Sequence, residues 1–373
     1  MKKVGILTFH ASHNYGSVLQ AYALSSYVKG LGFDVEIINL RNQAQKDAYK
    51  VLSFRRGLRG AVHNLYSLSQ LPALMRRYNA FERFITGPLP VSAKEYSSGA
   101  ELAKEQLNYD IYICGSDQIW NPVCQDFEPA YYLDFVENRR ITLAYAPSLG
   151  KAEFEEHHLA LIKSLLPNID HISVREEQGA RLLRTLTDKE IEVVCDPVLL
   201  LNRDEWSRFA KAPRFREPYI LTYFLENNHG SREYLPYLQA QTGYKVVALN
   251  EYIKDMFKPY QHAFDTDPME FVGLFMNASL VLTNSFHGTV FATIFQKPFF
   301  TAAADDYKTA INNNDSRKYN YLSLLGLESR ILTTDPPKKE AILNIDYSVA
   351  GQKMTAYRDH SMDYLKRTLG IKK

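Results

Sequence analysis

The chain has 373 residues, of which 46% are hydrophobic and 23% charged, and this suits a globular protein with one large domain or two domains. Its formal net charge of +2 excludes a strong overall attraction to nucleic acid, and no apolar stretch approaches the ~20 residues of a membrane span. Cys114, Cys124 and Cys195 are too few and too widely spaced for a disulfide framework or a metal motif, so we expect a cytoplasmic protein without a bound metal.

Short apolar runs alternate with helical patterns in the first half of the chain. The first apolar run ends at His10 and predicts a buried strand, not a signal peptide. The candidate strands are Val4–Phe9, Val35–Leu40, Ile111–Cys114, Ile141–Tyr145, Ile169–Val174 and Glu192–Cys195. Amphipathic stretches such as Val18–Leu31 and Glu155–Leu166 lie between them. Continuous apolar strands separated by helices predict a parallel sheet covered on both faces.

The same alternation restarts in the second half of the chain. The candidate strands there are Tyr219–Phe224, Val246–Leu249, Ser279–Thr283 and Phe299–Ala302. We therefore predict an α/β protein with two Rossmann-like domains, at residues 1–200 and 201–345, followed by a C-terminal helix at 346–373. The predicted boundary falls near Leu200 to Pro218, where Pro213 and Pro218 lie among charged residues.

One segment of the N-terminal domain interrupts the alternation, and we predict a basic helical insertion at about residues 45–90. Val51 to Phe84 has a helical pattern and contains Arg55, Arg56, Arg59, Arg76, Arg77 and Arg83. One interpretation is a helical hairpin with a solvated basic face. The other is a lid, or a surface that contacts anionic lipid or an anionic sugar carrier at the inner face of the membrane.

The first polar motif follows the first strand and opens a helix. It reads HASHNYGSVLQ from His10 to Gln20, and Asn14, Gly16 and Ser17 suit a tight turn with a helix N-cap. Ligands of open α/β sheets bind at the carboxyl ends of strands, near helix N-termini. The motif therefore predicts either a ligand-binding turn or a capped turn with a structural role alone. It contains no dinucleotide-binding glycine pattern.

The second motif follows the strand that ends at Cys114 and reads CGSDQIWNP. Gly115 allows the backbone to turn close to a ligand. Ser116, Asp117 and Gln118 are short polar side chains beside Trp120, and sugars are bound by such hydrogen-bonding groups together with an aromatic ring. The alternative interpretation is a turn in which Trp120 is a buried anchor.

The third motif places Arg175 at the end of an apolar strand, in the sequence SVREE. A guanidinium there can hold a carboxylate or a phosphate by paired hydrogen bonds, or it can form an ion pair with Glu176 or Glu177. Asp196 follows the next strand, and we expect it to be a turn or cap residue.

The fourth motif, TNSFHGT from Thr283 to Thr289, lies between a strand and a helix. His287 is therefore expected near a helix N-terminus, and an imidazole suits proton transfer near neutral pH. A lone histidine is more often structural, but the polar neighbours of His287 favour a function. Arg317 follows an Asn-rich loop and is a surface cation unless it turns inward.

In this order, the motifs resemble the polysaccharide pyruvyl transferase family. The resemblance covers NYG-x-x-L-Q, GSDQ-x-W, S-V-R-E, the CDP turn and NSFHG, between Gly5 and Gly288, and the helix after Arg317 extends it. It implies two Rossmann-like domains in a GT-B-like arrangement with the donor in a cleft between them. It also implies transfer of a pyruvyl group from phosphoenolpyruvate, a co-substrate, to a sugar or lipid-linked sugar, with no cofactor.

The resemblance also implies roles for residues. His287 takes the place of the family's active-site histidine, and Arg175 that of a donor-binding arginine. Characterised members often carry Arg where this chain has Ser285, and Arg317 is the nearest candidate to replace that cation. The predicted site comprises catalytic His287 and Asp117, donor-binding Arg175, Asn284, Ser285, Phe286, Gly288 and Arg317, and acceptor-binding Asn14, Gly16, Ser17, Ser116, Gln118 and Trp120.

Two other functions fit the sequence. A nucleotide-sugar glycosyltransferase of the same architecture would need a ribose-binding acid in the second domain, and Glu251 is a candidate. A non-catalytic protein that binds sugars or anions would fit the neutral Ser285. Turnover of a donor separates this last function from both enzymes. The acceptor sugar and the oligomeric state stay open.

Overall fold

The computed structural model describes residues 1–51, 64, 67–136, 140–151, 153–225, 229–249, 258–302, 316–332 and 335–371. Its strands are β1 (Lys3–Leu7), β2 (Asp34–Leu40), β3 (Val91–Tyr96), β4 (Ile111–Cys114), β5 (Ile141–Ala144), β6 (His171–Val174), β7 (Ile191–Val193), β8 (Tyr219–Tyr223), β9 (Lys245–Ala248), β10 (Gln261–His262), β11 (Leu280–Thr283), β12 (Phe299–Ala302) and β13 (Ile331–Leu332). Its α-helices are α1 (Tyr15–Gly30), α2 (Gln43–Ala48), α3 (Leu71–Thr86), α4 (Gly99–Leu102), α5 (Glu156–Leu165), α6 (Glu177–Arg184), α7 (Arg203–Phe209), α8 (His229–Thr242), α9 (Pro268–Asn277), α10 (Phe286–Ile294), α11 (Ser316–Leu325), α12 (Lys339–Leu343) and α13 (Ser348–Thr368).

The strands form two separate parallel sheets with the same internal order. The first sheet has the order β3-β2-β1-β4-β5-β6-β7, and the second has the order β10-β9-β8-β11-β12-β13. Neighbouring strands pair parallel in both. In each sheet the first strand lies in the middle and the chain then proceeds outward on both sides. This is the Rossmann order, and it confirms the predicted α/β fold class with two Rossmann-like domains.

The chain divides into two compact units. Unit 1 comprises residues 1–49, 82–201 and 354–373, and unit 2 comprises residues 50–81 and 202–353. The structure thus groups residues 50–81 with unit 2, whereas the sequence predicts the whole basic insertion as part of the N-terminal domain. Most of α13 belongs to unit 1.

The helix α13 is attached to the sheet of unit 1 by side-chain hydrogen bonds. Tyr364 donates its hydroxyl to the carbonyl of Ala144 at 3.0 Å, and the hydroxyl of Ser361 accepts from the backbone N–H of Cys195 at 2.8 Å. Tyr364 and Leu365 are buried. The C-terminal helix is therefore part of the first core, although its residues are the most distant from β1 in the sequence.

The central strands of both sheets are buried because they are apolar. Every residue of β4, β8 and β11 is buried, as expected for strands with helices on both faces. The core of unit 1 includes Leu7, Ile172 and Leu183, and that of unit 2 includes Ile220, Leu282 and Phe300.

Three of the described strands were not predicted from the sequence, and all three lie at the edge of a sheet. The edge strand β3 has the polar sequence VSAKEY, and three of its residues are exposed. β10 and β13 have two residues each and lie at the two edges of the second sheet. Such strands lack a continuous apolar run, so the pattern that identifies the central strands does not identify them.

Part of the basic insertion falls within the described residues. Arg76 forms an ion pair with Asp265 at 3.0 Å, and Arg77 donates to the carbonyl of Phe264 at 3.4 Å. These two arginines therefore contact other residues of unit 2, and the side chain of Arg76 is 61% exposed. Arg55, Arg56 and Arg59 lie outside the described residues.

Candidate functional site

The polar motifs fall at the two places where ligands of Rossmann-like sheets bind. In unit 1, β1 and β4 are neighbours at the point where the strand order reverses, and the first two motifs follow their carboxyl ends. In unit 2, β8 and β11 are the corresponding neighbours, and the His287 motif follows β11. Each unit thus has its own polar edge, and each is described in turn.

The hydrogen bonds of the Gln20 side chain explain why the first motif ends in glutamine. It is fully buried, and its side-chain amide donates to the hydroxyl of Thr8 at 2.8 Å and to the carbonyl of Ser17 at 2.9 Å. Its amide oxygen accepts from the backbone N–H of Ser116 at 3.1 Å. Because a buried amide must have partners, this network fixes the loop after β4 against α1 and β1.

Asp117 and Ser17 join the two motifs directly. The hydroxyl of Ser17 donates to one carboxylate oxygen of Asp117 at 2.5 Å, and the other oxygen accepts from the backbone N–H of Gln118 at 2.8 Å. Asn14 caps α1, since its side chain accepts from the N–H of Gly16 at 2.9 Å. The structure therefore brings together four of the predicted acceptor-side residues and Asp117. Their contact with an acceptor stays a prediction.

The turn after β4 requires two glycines. Gly115 has a φ of +125°, and a Cβ there would lie 2.1 Å from the carbonyl oxygen of Tyr145. Gly150 has a φ of +72°, and a Cβ there would lie 2.3 Å from the side-chain oxygen of Gln118. Gln118 in turn accepts from the side chain of Asn121 at 3.3 Å. Ser116 is buried and donates to the carbonyl of Ala146, and its contact with an acceptor stays a prediction.

Trp120 is buried in the turn after β4, which favours the alternative interpretation of the sequence, and its contact with an acceptor stays a prediction. Its side chain is fully buried, its ring stacks on that of Tyr132 with centroids 4.5 Å apart, and its indole N–H donates to the carbonyl of Tyr131. One face of the ring is thus packed against another ring, which agrees with the alternative interpretation, a buried anchor for the turn.

Arg175 lies between two carboxylates at the carboxyl ends of β6 and β7. Its guanidinium donates to Glu176 at 2.9 Å and to Asp196 at 2.7 Å, and all three residues are buried. Burial alone would lower the pKa of Arg175, but the charges of Glu176, Asp196 and Asp117 outweigh burial and raise it. Arg175 is therefore always charged. Asp196 also accepts from the N–H of Val198, which agrees with its predicted cap role.

Asp117, Glu176 and Asp196 place three carboxylates around Arg175, and two of them bind its guanidinium directly. A carboxylate can accept hydrogen bonds from hydroxyl groups. The pairing of Arg175 lowers the support for its predicted donor-binding role, which stays a prediction.

A second polar cluster of unit 1 was not part of the predicted site. His13 lies within 2.8 Å of Glu82, and Glu82 accepts from Arg41 at 3.1 Å. Burial raises the pKa of Glu82, but the hydrogen bond with His13 and the charge of Arg41 outweigh burial and lower it. His10 is fully buried beside Asn39, and burial lowers its pKa to about 4. The sequence indicated the two histidines of this loop but not their partners on β2 and α3.

In unit 2, Thr283 and Asn284 fix the turn after β11. The hydroxyl of Thr283 donates to the carbonyl of Tyr223 at 2.5 Å and accepts from the backbone N–H of Ser285 at 3.0 Å. The side chain of Asn284 accepts from the backbone N–H of Leu225 at 2.8 Å. These bonds connect the carboxyl ends of β8 and β11, which are the central neighbours of this sheet.

Ser285 and Gly288 have structural roles that explain the SFHG sequence. The side chain of Ser285 is the N-cap of α10 and accepts from the N–H of Gly288 at 3.3 Å. A Cβ at Gly288 would lie 2.6 Å from the hydroxyl oxygen of Thr283, so only glycine lets the helix start this close to the strand. An arginine at position 285 would remove this cap.

His287 lies in the first turn of α10, as predicted. It is 9% exposed, and its ring is 5.4 Å from that of Phe286, which is also buried. A helix N-terminus favours negative charge because backbone N–H groups point outward there. The turn thus places a titratable imidazole at a position that favours an anionic ligand.

The start of α11 adds a cation that the sequence analysis missed. Arg317, the predicted replacement cation, is partly buried in the first turn of α11. Its neighbour Lys318 is 5% exposed and donates to the carbonyls of Asn284 and Ala302. Lys318 therefore touches the backbone of the His287 motif itself. A lysine in an otherwise mixed helix gives no sequence signal of such burial.

Within the described residues, no group of three or more His, Cys, Asp or Glu side chains is arranged to hold a metal ion. Glu251, the candidate ribose-binding acid, lies outside those residues. Across the same described part of the chain, no helix is both long enough and apolar enough to span a membrane.

Solved structures with a similar fold cover almost the whole chain. A UDP-GlcNAc 2-epimerase from Methanocaldococcus jannaschii, in complex with UDP-GlcNAc and UDP, aligns with a TM-score of 0.50 at 13% identity, over 96% of this chain and 100% of its own. A putative UDP-N-acetylglucosamine 2-epimerase from Listeria monocytogenes has a TM-score of 0.48 at 11% identity, over 96% of each chain. At these identities the likeness concerns the fold alone. The chain is thus an α/β protein of the class with two Rossmann-like domains.

Within that class the family is shown by the sequence. The family model for polysaccharide pyruvyl transferase matches residues 14–306, which include all the motifs from Asn14 to Gly288. The chain belongs to the polysaccharide pyruvyl transferase family, and is therefore a transferase. Comparison with curated proteins finds no match.

Proposed function

We propose that the protein transfers a pyruvyl group from phosphoenolpyruvate to a hydroxyl of a sugar in a cell-surface polysaccharide or its precursor, with release of phosphate. The observation that carries the proposal is the turn at the carboxyl end of β11, where His287 opens α10 within the residues that match the family. The N-terminus of α10 at the His287 turn also supports it, because backbone N–H groups there favour an anionic donor. In unit 1, the carboxylate of Asp117 can accept a hydrogen bond from a hydroxyl group.

The proposed chemistry follows from the donor. Phosphoenolpyruvate carries a carboxylate and an enol phosphate. His287, as general acid, gives a proton to the terminal methylene carbon, and positive charge develops at the central carbon. A sugar hydroxyl forms a bond to that carbon and loses its proton. The bond from this carbon to the phosphate oxygen then breaks, phosphate leaves with the bonding electron pair, and an oxocarbenium ion remains. A second hydroxyl of the same sugar bonds to this carbon and loses its proton, which gives the cyclic pyruvyl ketal.

Asp117 is the proposed acceptor of the hydroxyl proton. Its carboxylate already accepts from Ser17 and Gln118, so an incoming hydroxyl would share one of these oxygens. A carboxylate has about four lone-pair sites, and this leaves room for one more donor. In this proposal the reaction takes place in the cytoplasm, and a lipid-linked acceptor would be presented at the inner face of the membrane.

A direct assay tests the function. Purified protein is incubated with phosphoenolpyruvate and a panel of sugars and lipid-linked sugars, and phosphate release and ketal formation are measured by colorimetry and mass spectrometry. We expect phosphate release that depends on one acceptor and that yields a product heavier by one pyruvyl group. Turnover of a nucleotide sugar with the same acceptors, and none of phosphoenolpyruvate, would replace the proposal with a glycosyltransferase.

A further inference from the structure

The loop after β4 reaches across the carboxyl end of β1 and is attached at the carboxyl end of β2. In the first sheet, β1 lies between β2 and β4. Asn42 follows β2, and its side-chain amide donates to the carbonyl of Asp126, in the loop after β4, at 3.0 Å. The same side chain caps α2, where its oxygen accepts from the backbone N–H of Gln45 at 2.9 Å. One amide thus fixes both Asp126 and the first turn of α2 at the polar edge of unit 1.

Asp126 adds a second carboxylate to the neighbourhood of Asp117. It lies in the same loop as Asp117 and is partly buried. Burial raises the pKa of the Asp126 carboxyl group, its own backbone N–H opposes this effect, and the negative charge of Asp117 raises the pKa further. Within the described part of the chain, no side chain donates a hydrogen bond to this carboxylate, so its oxygens can accept from a ligand. The two carboxylates are therefore close enough for the charge of one to act on the other.

An independent observation at the same edge is the buried side chain of Gln45. Gln45 is 3% exposed, and its amide nitrogen donates to the hydroxyl of Ser12, in the loop after β1, at 3.3 Å. Its amide oxygen accepts no hydrogen bond from any of the described residues. A buried acceptor that lacks a donor costs free energy, and a hydroxyl group supplies such a donor. The loops after β1, β2 and β4 thus combine two carboxylates with an amide acceptor, and this set suits a ligand with several hydroxyl groups.

The proposed reaction removes two hydroxyl protons from the acceptor sugar. The first hydroxyl gives its proton to Asp117, and this carboxyl group is then neutral until it passes the proton on. Ring closure requires that a second hydroxyl also loses its proton as it bonds to the oxocarbenium carbon. A second base beside Asp117 meets this requirement, because each carboxylate can hold one proton.

We propose that Asp126 is a catalytic residue of the acceptor site and takes the proton of the second sugar hydroxyl when the ketal ring closes. The inference rests on the proposed pyruvyl transfer, and it specifies the acceptor as a sugar diol. A lone pair of the second hydroxyl oxygen forms the new bond to carbon, and the electron pair of its O–H bond stays on that oxygen. Of the two protons held by Asp117 and Asp126, one replaces, by way of solvent, the proton lost by His287, and the other passes to phosphate or solvent.

Three variants separate proton transfer from the structure of the loop. Asp126→Asn keeps the shape of the side chain but cannot take the proton, and Asp126→Glu keeps the carboxylate. Asn42→Asp keeps the cap of α2 but has no N–H for the carbonyl of Asp126, so it disturbs the position of the loop. Asp134→Asn is the matched control, because burial also raises the pKa of Asp134 and no effect of Asp117 accompanies it.

Phosphate, pyruvate and ketal are measured in the same reactions, which contain phosphoenolpyruvate and glucose, galactose or mannose as methyl glycosides and as lipid-linked sugars. Without a base for ring closure, water competes for the oxocarbenium ion, and the resulting hemiketal breaks down to pyruvate and the sugar. We expect Asp126→Asn to lower the yield of ketal per phosphate by at least about tenfold and to release pyruvate instead, with an unchanged KM for phosphoenolpyruvate. Asp126→Glu should recover part of the ketal, Asn42→Asp should shift the ratio less in the same direction, and Asp134→Asn should match the wild type.

Circular dichroism and thermal unfolding show whether each variant is folded. A wild-type ratio in folded Asp126→Asn, or an equal change in Asp134→Asn, would assign Asp126 to the structure of the loop and leave the pyruvyl transferase function intact. If Asp126→Asn does not fold, a wild-type ratio in Asn42→Asp has the same meaning. Phosphate release that yields pyruvate alone in the wild type would also overturn the inference. A wild-type protein that does not turn over phosphoenolpyruvate would instead remove the proposed function, and this inference with it.

Discussion

His287 is the residue on which the proposed reaction depends most. We expect His287→Ala to lower kcat by roughly 10²–10⁴-fold, the usual contribution of a general acid, with little change in the fold. Steady-state rates of phosphate release and circular dichroism measure the two effects. His171→Ala, at an exposed position of β6, is the control that should keep full activity. A near wild-type rate in His287→Ala would exclude the general-acid role.

Arg175 is expected to contribute mainly to the free energy of unfolding. Arg175→Met leaves the buried carboxylates of Glu176 and Asp196 without their cation, and we expect a loss of roughly 3–5 kcal/mol in the free energy of unfolding. Denaturant unfolding followed by tryptophan fluorescence measures this loss.

The surface pair of Arg184 and Glu177 provides the control for Arg175, because both of its side chains are about half exposed. Arg184→Met should cost less than about 1 kcal/mol. A similar cost for both variants would mean that the buried triad contributes no more than a surface pair.

In the milder variant Arg175→Lys, a raised KM for phosphoenolpyruvate with little change in stability would instead support the donor-binding role.

The burial of His10 is expected to make the free energy of unfolding depend on pH. Its pKa is about 4 in the folded protein against an ordinary value of 6.5, because burial disfavours the charged ring. Between these values the unfolded chain binds more protons, so stability is lost as the pH falls. From about pH 7 to about pH 5 the contribution is about 2 kcal/mol. His10→Gln should flatten the pH dependence of the unfolding free energy by this amount, and an unchanged slope would contradict the burial of a neutral ring.

At the level of single residues, the sequence predicted positions better than roles. Asp117, Ser17 and His287 lie where the strand-to-helix pattern places them, because ligand-binding edges follow from the order of the strands. Trp120 and Arg175 could not be assigned in this way. Whether an aromatic ring or a guanidinium faces solvent depends on partners such as Tyr132 and Asp196, which are distant in pattern and become neighbours only in the fold.

At the level of elements, the turn between β4 and the following 3-10 helix depends on Gly115. Gly115→Ala would place a methyl group against the carbonyl of Tyr145 and would also require an unfavourable φ, so we expect a loss of more than about 3 kcal/mol or failure to fold. Gly30→Ala is the control, since nothing lies within 4 Å of a Cβ there and the residue is helical. Soluble yield and thermal unfolding compare them, and equal stability of the two variants would contradict the geometry of the turn.

The central elements were predictable and the peripheral ones were not. Strands such as β4, β8 and β11 are continuous apolar runs because both faces of each sheet are covered. The first turn of α11 could not be predicted in detail. The burial of Lys318 there depends on carbonyl groups of the turn after β11 and of β12, and such backbone partners leave no mark in the sequence.

For the whole molecule, α13 is expected to stabilise unit 1 although it follows unit 2 in the chain. Tyr364→Ala removes a buried ring and its bond to Ala144, and we expect a loss of roughly 3–5 kcal/mol in the transition of unit 1. Val349→Ala, in the same helix but 57% exposed, should change little. Differential scanning calorimetry can follow the two units separately if they unfold in separate transitions. An unaffected melting profile for Tyr364→Ala would show that α13 adds nothing to the core.

The position of α13 has a consequence for synthesis of the chain on the ribosome. Unit 1 uses residues from both ends of the sequence, and the hydroxyl partner of the Ala144 carbonyl, Tyr364, is translated 220 residues later. The first sheet can pair its strands early, but the site left for α13 stays uncovered until residues 354–368 have been translated and have left the exit tunnel. All residues of unit 2 are translated before that moment. Translation of unit 1 therefore begins before that of unit 2, but unit 1 is completed after it.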